Sequence, residues 1–181
     1  MNSRDLCMIE HLLAMLEAGI GSFKIEGRAK SAYYTAVITN AYRHALDAAE
    51  KGMPVPPVWR NEVYKVSHRE YSTGFYFDEA GPGQFYDDAM YDSECEVAAV
   101  VESCDDAGNA FLTQRNKFFR GDTLELLIPG GEPVEFVASA IKNSEGADID
   151  SAPHPMMELW MKLPIKAPRY SIVRRKKCRN R

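Results

Sequence analysis

A single strand flanked by two helices cannot fold alone, and that is how the first fifty residues read. Ser22 to Gly27 alternates with period two, Phe23 and Ile25 on one side and Lys24 and Glu26 on the other. Before it, Leu6, Ile9, Leu13 and Leu16 recur at helical spacing. Asn2 or Ser3 is placed to cap that helix near Arg4, Asp5 sits in its first turn, and Gly19 ends it. After the strand, an alanine-rich stretch from Ala29 to about Glu50 carries Tyr33, Val37, Ala41 and Ala45 four apart. A lone strand leaves both backbone edges unpaired. The segment therefore needs more strands, upstream in a longer protein or from a second copy in a homo-oligomer.

Pro54, Pro56 and Pro57 mark Met53 to Pro57 as a stiff linker and domain boundary, followed by a short helix over Asn61 to Arg69. Ser72 to Tyr86, rich in glycine and aromatics, reads as a crossing between layers. From Cys95 the pattern changes to short strands. They cover Glu96–Ser103, Phe111–Arg115, Thr123–Ile128, Val134–Ile141, Met157–Leu163 and Arg169–Val173, separated by Gly/Pro turns. This spacing predicts a small closed β-barrel. The expected order is an α/β segment over 1–52, linker and helix over 53–93, a β-barrel over 94–175 and a basic tail over 176–181.

Charge is unevenly distributed. The net charge is −4, yet no Asp or Glu follows Glu158, while nine of the 22 Lys and Arg residues do. An acidic body with a cationic tail fits a polyanionic partner, although on charge alone a solvated terminus is the commoner explanation. Cys7, Cys95, Cys104 and Cys178 are scattered without CxxC spacing, and Met1 to Asp5 does not open a secretory signal. Both point to free thiols in the cytoplasm. No apolar run approaches the ~20 residues of a membrane span.

Self-contained catalytic motifs are missing. There is no GxSxG elbow, no glycine loop ending in Gly-Lys-Ser/Thr, and no HExxH. If Ser22–Gly27 is a strand of a parallel barrel, Lys24 and Glu26 point inward, Glu26 near the top, with Arg28 on the loop beyond. These three are the catalytic candidates, and a structural ion pair between Lys24 and Glu26 carries equal weight. Cys7 could face the same rim, with His11 four residues on as a weak metal pair, though a small buried hydrophobe is the commoner role for such a cysteine.

Several stretches resemble the collagenase-like proteins of peptidase family U32. They are Asn2-Ser3-Arg4-Asp5-Leu6-Cys7, Ala18-Gly19-Ile20, Phe23-Lys24-Ile25-Glu26-Gly27-Arg28 and Lys30-Ser31-Ala32-Tyr33-Tyr34. Further along come Glu62 to Arg69, Tyr71 to Phe75, Gln114 to Phe118 with Gly121-Asp122, and Ala152 to Pro155. The resemblance implies the last helix–strand–helix of a TIM-type (β/α) barrel followed by an accessory β-barrel domain. It implies that Cys7 is one of four ligands of a [4Fe–4S] cluster in the intact protein, none being expected in this chain alone. It also implies a role in prephenate-dependent hydroxylation of the tRNA wobble uridine, this chain binding without turning over by itself. Arg115, Lys117, Arg120, Arg174, Arg175, Lys176 and Lys177 are then the candidate tRNA contacts. The alternatives are a protease acting on collagen or peptides and a non-catalytic interaction module.

Overall fold

The computed structural model describes residues 2–77, 84–85 and 93–177. The chain divides into two compact units, Met1–Glu94 and Cys95–Arg181. Among the described residues no helix is long and apolar enough to cross a membrane.

The first unit opens with β1 (Asn2–Ser3) and β2 (Asp5–Leu6), then a 3-10 turn over Ile9–His11 that runs into α1 (Leu12–Glu17). It continues with α2 (Ala32–Ala49), α3 (Pro57–Glu62) extended by a 3-10 turn over Val63–Lys65, β3 (Tyr71–Ser72) and β4 (Gln84–Phe85). β1 pairs antiparallel with β4, and β2 pairs parallel with β3.

This corrects the helix expected from Arg4. The Asp5 N–H donates to the Glu70 carbonyl and the Cys7 N–H to the Ser72 carbonyl, so residues 5–7 spend their backbone on a ladder. The buried apolar face follows the later start: Met8, Ile9 and Leu12 are buried, whereas Leu6 is exposed. Gly19 does end the helix. It has φ +83°, its N–H bonds the Leu16 carbonyl, and the Ile20 N–H bonds the Met15 carbonyl, which is a Schellman closure.

Ser22–Gly27 is not a strand. It is irregular chain with no ladder on either side, because no described strand lies alongside to take its backbone groups. The TIM-type barrel element is therefore not formed by these residues. α2 matches its pattern: the Ser31 hydroxyl accepts from the Tyr34 N–H, and Val37, Ile38, Ala41, Ala45, Ala48 and Ala49 are buried. The small side chains let α2 pack against α3. The proline stretch lies inside this unit, with Pro57 as the first residue of α3, where a missing N–H costs nothing.

The second unit contains β5 (Cys95–Cys104), β6 (Asn109–Gln114), β7 (Phe118–Phe119), β8 (Thr123–Leu127) and β9 (Val134–Val137). It goes on with β10 (Ile141–Asn143), β11 (Asp148–Ile149), β12 (Ser151–Ala152), β13 (Glu158–Lys162) and β14 (Ile172–Lys176). Eight strands form an antiparallel sheet in the order β11-β10-β13-β6-β5-β14-β8-β9, and β7 pairs separately with β12. The expected closed ring is thus a curled sheet whose end strands, β11 and β9, are not paired to each other. The chain around Arg120 ties the two ends. Its N–H donates to the Asp150 carbonyl at 2.9 Å, the Gly121 N–H donates to the Ala138 carbonyl at 2.9 Å, and the Ala138 N–H donates to the Asp122 carbonyl.

Alternation supplies the core. Leu112, Leu124, Leu126, Leu159, Met161 and Val173 face inward with Phe118 and Ile141. Each large side chain buried this way contributes roughly 1.5–3 kcal/mol. Ala98, Ala99 and Ala110 leave room for the tight curl.

Candidate functional site

In the first unit a cleft of about 310 Å³ opens between the irregular Ser22–Glu26 segment and the helices. Met8, Leu12, Ile38 and Val63 line its apolar part, and Cys7, Tyr34, Tyr42, Tyr71 and Tyr76 bring polar atoms to it. Lys24 and Glu26 form its lip. They do not point into a barrel: their side chains are 83% and 63% exposed and they pair with each other at 3.0 Å. The Lys24 hydrogen bond and charge lower the Glu26 carboxyl below its ordinary value. Arg28 is exposed beyond the lip and makes no ion pair among the described residues.

Cys7 stands where β2 ends, not within a helix, and its Sγ lies 3.6 Å from the Tyr42 hydroxyl. That hydroxyl also accepts from the Met8 N–H at 3.1 Å. Burial pushes the Cys7 thiol up, and hydrogen bonds from Ile9 and Tyr42 offset this only in part. Among the described residues the Cys7 thiol is hydrogen-bonded to Tyr42 and not to a base, which is not the arrangement of an activated cysteine nucleophile. The His11 ring packs on Phe77, ring centroids 4.4 Å apart, and lines with Cys7 a smaller cleft of about 160 Å³. Tyr42 carries no signal in the sequence, because its partner lies 35 residues away.

A latch holds the end of β2 in place. The Asp5 carboxylate accepts from Arg69 Nε at 2.9 Å and from the Arg69 backbone N–H at 3.0 Å, with a second guanidinium nitrogen at 2.8 Å and Lys30 Nζ at 3.7 Å. Burial raises the Asp5 carboxyl, but the Arg69 bonds and charge, helped by Lys30, outweigh it and hold it below its ordinary value. A depressed carboxyl stabilises the fold above its unfolded value of about 4 and loses that contribution as pH falls through the folded value. The melting temperature of the first unit should therefore fall as pH drops from about 5 to about 2, and Asp5→Asn should flatten the fall. An unchanged acid slope in Asp5→Asn would remove the latch from the account.

The seven basic candidates all lie in the second unit, in three different states. Arg174 is fully buried and bonds Glu125 at 2.7 Å, so it is a core residue and not part of a tail. Arg175 bonds Glu96 at 2.7 Å and reaches Asp122 at 3.5 Å. Arg120 sits 3.7 Å from Asp150 and 3.9 Å from Asp148. Arg115 is exposed, with one guanidinium nitrogen 2.9 Å from Met156 sulfur, and Lys117 lies over the Phe119 ring at 4.8 Å. Lys176 ends β14, and both it and Lys177 are exposed. β14 runs three residues past the predicted strand end, which corrects the boundary of the basic tail. Residues 178–181, Cys178 included, lie outside the described residues.

No group of three or more His, Cys, Asp or Glu suited to a metal occurs among the described residues. Cys95 and Cys104 belong to the other compact unit. A [4Fe–4S] cluster takes four thiolates, and the cleft offers one thiol among its lining residues, so these residues do not fit the cluster by themselves.

Residues 1–84 match the sequence profile described as peptidase family U32, and residues 93–174 match that of the peptidase family U32 C-terminal domain. The chain is 32% identical over 175 residues to a protein of Bacillus subtilis named tRNA hydroxylation protein P1, covering 92% of this chain and 40% of that protein. It is 32% identical over 178 residues to tRNA hydroxylation protein P of Escherichia coli, covering 91% of this chain and 36% of that protein. This chain thus spans about two fifths of the length of these relatives. Among solved structures, the C-terminal domain of a putative U32 peptidase of Geobacillus thermoleovorans is 31% identical with a TM-score of 0.43. That match covers 46% of this chain and 93% of that one.

Proposed function

Because the chain belongs to peptidase family U32, its two units answering in turn to the family's two profiles, we propose that it forms the C-terminal, RNA-facing part of a protein for tRNA hydroxylation. The observation that carries this reading is that relatives named for tRNA hydroxylation match across both units, over more than nine tenths of the chain. In this reading the target is the wobble uridine and prephenate is consumed. Lys24 and Arg28 at and beyond the cleft lip would meet the carboxylates of that small dianion, with Glu26 holding Lys24 in place through their ion pair. Cys7 is then at most one of four cluster ligands, the other three lying elsewhere in the longer protein. No nucleophile with a positioned base supports proteolysis among the described residues.

Within this reading, the ion pairs favour four of the seven basic candidates as phosphate contacts. Buried Arg174 and the paired Arg175 and Arg120 are committed to carboxylates, which leaves Arg115, Lys117, Lys176 and Lys177 to meet phosphates. Binding of tRNA should weaken as salt rises, with a log–log slope of about 0.7–0.9 for each phosphate neutralised. Fluorescence anisotropy on the full chain at low salt should show K176E/K177E and R115E/K117E each at least about tenfold weaker than the parent, with a shallower salt slope. K51E should bind like the parent. Salt-insensitive binding, equal loss in K51E, or gelatin cleavage indifferent to these charges would each reject the reading.

A further inference from the structure

Trp160 is an outward-facing tryptophan in the middle of a sheet. β13 alternates so that Leu159 and Met161 are buried while Trp160 remains 41% exposed. Such a position normally carries a polar residue. Its neighbour across β6 is Phe111, and the two rings lie 4.9 Å apart at 50°. On its other side, across β10, stands exposed Lys142. Lys162 follows two residues along the same face, its Nζ held to the Ala107 carbonyl. The outer face of β10-β13-β6 is thus a rigid two-ring surface with an ammonium on two sides. Carboxylates are present too: Asp148 lies opposite Lys142, and Glu158 lies two residues from Trp160 on the same face.

We propose that this face is a stacking platform for unpaired bases of RNA, with Trp160 and Phe111 each taking a base and Lys142 and Lys162 taking the flanking phosphates. This rests on the RNA reading above and gives it a second contact surface, separate from the sheet end that carries Lys176 and Lys177. The chemistry favours single-stranded RNA over a protein partner. Two adjacent aromatic rings on a sheet offer π-faces that any base can meet, and Lys142 and Lys162 beside them offer ammoniums to a phosphate, against the opposing carboxylates of Asp148, Glu158 and Asp105. A protein-binding patch of this size would want a wider apolar surround, whereas here the two rings are bordered by Lys142, Lys162 and Glu158.

The platform is tested on the full chain with an eight-nucleotide oligouridylate as the single-stranded probe and a blunt RNA duplex as the control. Oligouridylate should quench the Trp160 emission, obtained by difference from W160F, in a saturable way, and the duplex should not. By anisotropy W160A and F111A should each bind the oligonucleotide about tenfold or more weaker, W160F should stay within about threefold, and E158K should tighten binding. Circular dichroism should show these exposed-face variants folded. Oligonucleotide binding unchanged in both W160A and F111A but lost in K176E/K177E would overturn the platform while leaving the RNA reading. Failure of the parent to bind either tRNA or oligonucleotide would overturn both. A Trp160 emission that ignores RNA but shifts with protein concentration would assign the face to a second copy of the chain and overturn the proposal.

Discussion

Arg174→Ala is expected to remove about 3–5 kcal/mol from the stability of the second unit, enough to unfold much of it. The guanidinium is fully buried and bonded to Glu125, whose side chain is itself largely covered. Truncation takes the guanidinium from a largely covered carboxylate, and the cost is mostly the lost charge-assisted bond and the packing of the buried arginine. Two further features raise the stakes at this position. β14 is the only strand joining β5 to β8 in the described sheet, and its register shifts between Val173 and Arg174, so the side chain helps to define a bulge. Replacing both of these residues, Arg174→Met with Glu125→Leu, should recover part of the loss, since an apolar pair of similar volume substitutes well for a buried ion pair. Denaturant unfolding of the full chain measures both. A loss below about 1 kcal/mol in Arg174→Ala would return Arg174 to the list of surface cations.

Gly108→Ala should be nearly as damaging, for a backbone reason. Gly108 has φ +83°, and an added Cβ would lie 2.7 Å from the Leu163 carbonyl oxygen. That oxygen cannot move freely, because the neighbouring Leu163 N–H is itself bonded to the Gly108 carbonyl at 2.9 Å. The left-handed conformation alone costs a side chain about 1–2 kcal/mol. The clash with backbone adds to it, for an expected total of about 2–4 kcal/mol. Gly146 provides the comparison: it has φ +87° but open space around its Cβ position. Gly146→Ala should therefore cost only the conformational part, about 1–2 kcal/mol. Equal losses at the two glycines, read from thermal unfolding, would show that the contact at Leu163 relaxes without cost.

The two functional readings use different parts of the molecule. The cleft beside Cys7 is in the first unit, whereas Lys176, Lys177 and the Trp160–Phe111 ring pair are in the second. Variants of one should leave the other's readout intact. Asp5→Asn should change the acid stability of the first unit without touching oligonucleotide binding, and W160A should do the reverse.

Local pattern was enough to place much of the chain. α2 follows from its alanine-rich row and its serine cap, and Gly19 from the absence of a Cβ at a helix end. The strands over 95–104, 109–114, 123–127 and 158–162 follow from alternation and Gly/Pro turns. These features depend on residues within one or two turns of each other, and adjacent side chains carry the information. Three decisions came from distant chain instead. Asp5 and Cys7 joined a strand rather than a helix because Glu70 and Ser72 offered carbonyls to their N–H groups. Ser22–Gly27 alternates like a strand but stayed irregular, since a strand exists only when a neighbour supplies the other half of its hydrogen bonds. Arg174 and Arg175 lie in the cationic stretch after Glu158 and read as tRNA contacts, yet they are paired strand residues. Their charges are taken up by Glu125 and Glu96, which lie 49 and 79 residues away. A run of like charges fixes how much charge a segment carries. Whether that charge meets solvent, a phosphate or a buried carboxylate depends on what the tertiary structure sets opposite it.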